Sequence, residues 1–82
     1  MALHVLYFAG LREAVGLAEE TVELPEGVRT VGALADHLAR RHPAYRDRRA
    51  HVRIARNEAF AGDDDPVADG DVVALIPPVA GG

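Results

Sequence analysis

Apolar and polar positions along the 82 residues form short runs with two different periods. Leu3-His4-Val5-Leu6-Tyr7-Phe8-Ala9 is rich in aliphatic, aromatic and β-branched residues and has the length of a strand. Alternation puts Leu3, Val5 and Tyr7 on one face and His4, Leu6 and Phe8 on the other. Both faces are apolar, so neither is simply bathed in water. Gly10 to Val15 holds one short helical turn, and Gly16 suits a left-handed cap behind it. Glu20 to Leu24 alternates with Val22 and Leu24 inward, and Pro25-Glu26-Gly27 ends that strand. The clearest helix follows. Thr30 is a good N-cap, and Val31, Leu34, Ala35 and Leu38 form one stripe at helical spacing. Arg40, Arg41 and His42 suit the negative end of its dipole, and Pro43 stops it. Arg46 to Ala50 reads as a polar connection. Val52 to Asn57 reads as a third strand and Ala59 to Ala61 as a short fourth. Turns at 62–66 and 69–71 feed Val72 to Ile76, which is apolar on both faces. Pro77-Pro78 ends that strand, because proline cannot donate to a sheet ladder.

This order predicts an α+β domain. The first two strands pair as a hairpin-like unit, and the last strand lies centrally beside the first. One main helix packs across a mixed sheet of about five strands and buries its stripe on one sheet face. That arrangement is the β-grasp, or ubiquitin-like, fold. At this length one domain, 1–82, is the reasonable count, with 77–82 an extended tail.

Composition narrows the chemistry. With no cysteine, the chain has no disulfide, no thiolate metal site and no thiol nucleophile. All nine basic residues are arginine, which removes the Schiff-base and P-loop uses of lysine and any internal ε-amine for isopeptide linkage. The charges lie in blocks: −4 over residues 1–39, +6 over 40–57 and −6 over 58–82. A net charge of −4 argues against a general nucleic-acid binder. Leu3 to Leu11 is too short for a membrane span, which needs ~20 residues, and no basic stretch precedes it. A cytoplasmic protein with no membrane and no nucleic-acid partner is expected. The four histidines are scattered, and Asp63-Asp64-Asp65 lacks the glycine and closing glutamate of a calcium loop, so no metal site is expected.

The reactive feature is the end of the chain, Pro77-Pro78-Val79-Ala80-Gly81-Gly82. Diproline favours a stiff extended exit. Six residues span at most roughly 20 Å, and the last two carry no side chain. Such an end presents a carboxylate on a thin backbone that enters a channel any Cβ would block. Its obvious use is activation: an acyl-adenylate forms, and the acyl group passes to sulfur or nitrogen. With glycine at ~7% of residues, two terminal glycines arise by chance in about 0.5% of chains, so the diglycine is a moderate signal alone. The diproline exit from a ubiquitin-like domain makes it a strong one.

Four stretches carry a resemblance to a known family: Val5 to Ala9 with Leu11 to Gly16; Thr30 to Leu34; Ala55 to Glu58; and Asp69 to Gly82. The chain resembles the MoaD branch of the MoaD/ThiS sulfur carriers, the small subunits of molybdopterin synthase. The resemblance implies that a ubiquitin-activating-type enzyme adenylates the Gly82 carboxylate, using ATP and magnesium. This chain itself would bind no stable cofactor. A sulfur donor would then convert the adenylate to a thiocarboxylate. The tail, Pro77 through Ala80 with Gly81 and Gly82, would enter the large subunit's active site. Two transfers would supply the dithiolene sulfurs of the pyranopterin precursor. The catalytic pocket would belong to the large subunit, so this chain is not a catalyst alone. Phe8, Phe60 and Ile76 match positions where the family exposes apolar groups to that partner; the alternative is a second small core under the loops. Arg56 stands where the family usually carries a small apolar residue. Two other readings stay open: a carrier for thiamine or tRNA thiolation, or one that also tags proteins, and a ubiquitin-like binding module with an inert tail.

Overall fold

The computed structural model describes residues 2–78. The strands are β1 (Ala2–Tyr7), β2 (Glu19–Glu23), β3 (Arg53–Arg56), β4 (Ala59–Phe60) and β5 (Val72–Ile76). The helices are α1 (Ala9–Val15), α2 (Val31–Arg41) and α3 (Pro43–Arg48), with a 3₁₀ turn over Arg49–His51. The sheet order is β2-β1-β5-β3-β4. β1 and β5 run parallel at its centre, and the other neighbours are antiparallel. This is the β-grasp arrangement, and β5 lies beside β1 as its two apolar faces require.

Register decides which side chains meet. Val5 lies opposite Val73 and Tyr7 opposite Leu75, which puts both pairs on one face with Leu3 and Val22. The α2 stripe of Val31, Leu34, Ala35 and Leu38 closes over that face, and Leu3, Val5, Tyr7, Val22, Val73 and Leu75 are as deeply excluded from water. Burying each large aliphatic side chain contributes about 1.5–3 kcal/mol, which is how so short a chain holds a core without cross-links.

The start of α2 is fixed by backbone as well as by Thr30. Thr30 Oγ1 accepts from the Ala33 amide at 3.2 Å. The Val31 and Gly32 amides donate to the carbonyls of Asp65 and Asp63 at 2.8 and 2.9 Å. The 62–65 turn thereby satisfies amides that a helix start leaves open.

Two expectations need correction. The segment after β1 is a full helix of seven residues, because Leu11 is drawn into the core and Gly16 caps it at φ 86°. Arg46 to Ala50, expected as a polar connection, is helical and lies within α3 and the 3₁₀ turn that follows it. Pro43 ends the α2 ladder, yet its missing N–H and fixed φ suit the first turn of a new helix. Tyr45 then falls on the inner face of α3 and is only 1% exposed. The main helix is thus joined by two short ones, with α3 packed against both α1 and α2.

Candidate functional site

The end of β5 is where the fold releases the tail. Ile76 is still held in the sheet opposite Arg53, Pro77 is half-buried and Pro78 is exposed. Val79, Ala80, Gly81 and Gly82 lie outside the described residues. The tail therefore starts from the central strand.

That outer face is apolar. Leu6 lies opposite Ala74, Ala74 opposite Ala55, and Ala55 opposite Phe60, so one row crosses four strands. Phe8, Phe60 and Ile76 border the same shallow concavity of about 320 Å³ with this row. The structure thus brings together the three apolar residues singled out in the sequence. Phe8 is 44% exposed and Phe60 58%, which places both on the surface. The Arg53 guanidinium lies 3.7 Å from the Phe60 ring centre, a cation–π contact that fixes the ring at the rim. A second concavity, about 410 Å³, lies at the root of the tail between Pro77, Pro78, α1 and the α3 end.

A polar cluster that sequence reasoning missed ties β1, β2 and α2 together on the helix side. Tyr7 donates its hydroxyl hydrogen to Glu20 Oε2, and His42 Nε2 lies 2.7 Å from the same oxygen. Arg41 pairs with Oε1 at 3.2 Å. The Tyr7 and His42 rings meet edge to face at 5.7 Å. Partial burial pushes the Glu20 carboxyl up, but the bonds from Tyr7 and His42 and the charges of His42 and Arg41 outweigh it, so it sits below the usual carboxylate range. Burial first, then the bond to Glu20 and its charge, pushes the Tyr7 phenol far above its ordinary value. The available signal was alternation: Glu20 shares a face with Val22 and so points at the core.

The other polar candidates serve the loops. Asp71 accepts from Asn57 Nδ2 at 3.0 Å and from the Ala68 amide at 2.8 Å; the Asn57 bond is the larger reason its carboxyl lies below its usual value. Asp65 accepts from the Gly62 amide at 2.8 Å and closes its own turn. Arg56 donates to the Pro66 carbonyl, which gives this departure from the family pattern a structural use. Among the described residues no group of three or more histidines and acids is arranged to hold a metal. No helix among them is long and apolar enough to cross a membrane.

Known proteins place this geometry in a family. The ThiS family model matches residues 5–82. The chain is 42% identical over 84 residues, the whole of both chains, to the molybdopterin synthase sulfur carrier subunit of Chlamydomonas reinhardtii. It is 36% identical to small archaeal modifier protein 1 of Haloferax volcanii, over 92% of this chain and 94% of that one. The crystal structure of SAMP1 from Haloferax volcanii superposes with a TM-score of 0.88 over the whole of both chains, at 33% identity. With both sequence and fold matched along its length, the chain belongs to the ThiS family.

Proposed function

We propose that this chain is the sulfur-carrying subunit of a molybdopterin synthase and that its reacting group is the Gly82 carboxylate. The observation that carries this is the Gly81-Gly82 end on a β-grasp domain that is 42% identical, end to end, to a carrier of that name.

The chemistry proceeds through the terminus. A Gly82 carboxylate oxygen attacks the α-phosphorus of ATP on a ubiquitin-activating-type partner, and pyrophosphate leaves. Hydrosulfide from a sulfur donor attacks the resulting acyl carbon, the C–O bond to phosphate breaks, AMP leaves and the sulfur gives up its proton to solvent. The thiocarboxylate so formed is mostly ionised near neutral pH and needs no neighbouring base. ATP and magnesium serve the activating partner, and this chain holds no cofactor of its own. The tail then enters the large subunit, whose groups perform the transfer to the pterin precursor. The outer-face row of Leu6, Ala74, Ala55 and Phe60 docks against that partner, since a surface patch with two exposed aromatic rings beside the reacting tail is suited to be covered. All of this takes place in the cytoplasm, where ATP and the precursor are.

The likeness to a modifier protein favours a second reading, in which the activated tail is passed to amines of other proteins. Intact mass separates these. After incubation with ATP, magnesium, the cognate activating enzyme and sulfide, a carrier gains the mass of one oxygen-to-sulfur exchange. No gain under conditions that charge a control carrier overturns the proposal. Co-purification with a large synthase subunit supports the first reading, and conjugates to cell proteins with loss of water support the second.

A further inference from the structure

The apolar outer face carries a charge at each end, and the two are of opposite sign. Arg53 lies opposite Ile76, the last residue of β5, and its guanidinium rests on the Phe60 ring. Glu58 stands at the other end, where it lines the outer concavity beside Val72, the first residue of β5. Among the described residues neither charge has an ion-pair partner, whereas Arg41, Arg46 and Arg49 pair with Glu20, Asp47 and Asp36. Glu58 is also held against its backbone preference. Asn57 and Glu58 form the two-residue turn between β3 and β4, at φ 50° and 73°. Such a hairpin turn needs left-handed angles at both positions. Asn57 tolerates them, and its side chain bonds to Asp71 and to the Val72 amide. Glu58 makes no such bond, and glycine would hold its place without the Cβ penalty. An unpaired carboxylate kept on strained backbone beside an exposed apolar patch points to a use outside the fold.

We infer that Arg53 and Glu58 orient the partner that covers the outer face: a carboxylate of the partner meets Arg53, and a cation of the partner meets Glu58. This rests on the function proposed above, in which that partner is the large synthase subunit. The apolar row alone gives no heading, because burial of apolar surface is non-directional. A partner turned end for end would bury a similar row but would set like charges against Arg53 and Glu58, which is costly at an interface. The planar Arg53 guanidinium rests on Phe60 and keeps its N–H donors for a carboxylate. Arg53 marks the end at which β5 runs into Pro77 and Pro78, so the heading it sets is the one that aims the tail.

The test is the association rate of the full chain with the purified large subunit, by stopped flow at about 0.05 M and about 0.5 M salt. Glu58→Gln and Arg53→Gln are both expected to slow association at least about threefold at the lower salt, with the difference largely gone at the higher. Arg53→Lys keeps the charge and is expected to keep the rate. Asp64→Asn, in the turn at the start of α2, changes the net charge as Glu58→Gln does and is expected to leave the rate unchanged. A general attraction by net charge would move Glu58→Gln and Arg53→Gln in opposite directions; that result overturns the inference, as does an unchanged rate in either. Glu58→Gly is expected to melt about 2–5 °C above the parent while associating as slowly as Glu58→Gln. A Glu58→Gly chain that melts no higher, or that associates as fast as the parent, also overturns it. A parent chain that does not bind the large subunit at all overturns the functional reading together with the partner named here, whereas binding at rates indifferent to these charges overturns the inference alone.

Discussion

His42 Nε2 lies 2.7 Å from Glu20 Oε2, which links the end of α2 to the edge strand β2 across 22 positions of sequence. The same oxygen accepts from Tyr7 on β1, so one carboxylate holds three elements. Its pKa is depressed in the fold. A depressed carboxyl binds fewer protons folded than unfolded, so its contribution is complete above the unfolded value of ~4.3 and is lost as pH falls through the lower folded one. Glu20→Gln is expected to cost about 1–3 kcal/mol at neutral pH and to flatten the loss of stability below about pH 4. Urea unfolding of both proteins across that range measures it; an unchanged acid limb would show that the cluster does not stabilise the fold.

Tyr7 shifts in the other direction and acts at the other end of the pH scale. Its folded pKa is raised, so its contribution is present below the unfolded value of ~10 and fades as pH rises above it. Tyr7→Phe keeps the ring in the core and removes only the bond to Glu20. A cost of about 1–2 kcal/mol at neutral pH is expected, with a shallower decline above about pH 10. The remaining decline would come from Tyr45, whose phenol is also pushed up by burial.

The apolar outer face makes a different claim, about binding rather than stability. Phe8 and Phe60 are exposed, so an aspartate at either position disturbs little of the core. Phe60→Asp also gives Arg53 a carboxylate in place of a ring. Each variant is expected to melt within about 2 °C of the parent while weakening association with a large synthase subunit by about 2 kcal/mol, roughly 30-fold. Calorimetric titration beside thermal melts separates the two effects; a large fall in melting temperature would mean that these rings serve the fold.

How far the sequence could be read depended on whether a signal was local. The α2 stripe is a local period, and Val31, Leu34, Ala35 and Leu38 are all buried as the spacing requires. The central place of β5 followed from apolar residues on both of its faces. Residues 43–51 misled because five arginine, aspartate or histidine side chains there hide a single buried ring, Tyr45, and because proline both stops one helix and starts the next. The Glu20 cluster was out of reach for another reason. Its members come from three elements, and only the assembled fold brings Tyr7 and His42 to one oxygen. Of the site, Phe8 could be placed on the outer face by alternation, whereas Phe60 and Ile76 were singled out only through the family resemblance. The concavity beside Pro77 and Pro78 was not legible, since it exists only where α1 and the α3 end come together with those prolines.

Gly32 tests the backbone cap on α2. In an exposed helix, glycine to alanine gains about 1 kcal/mol from propensity. Here an added Cβ would lie 3.1 Å from Asp63 Cβ and 3.2 Å from its carbonyl oxygen. That carbonyl accepts from the Gly32 amide at 2.9 Å, and Asp65 accepts from Val31 at 2.8 Å. The turn cannot retreat from the new methyl without lengthening both bonds. Gly32→Ala is therefore expected to be less stable by about 1 kcal/mol despite its better propensity, and Gly32→Val by more. Faster amide exchange at Val31 and Gly32 should accompany the loss. A stabilised Gly32→Ala would show that the 62–65 turn yields freely and that Thr30 alone caps the helix.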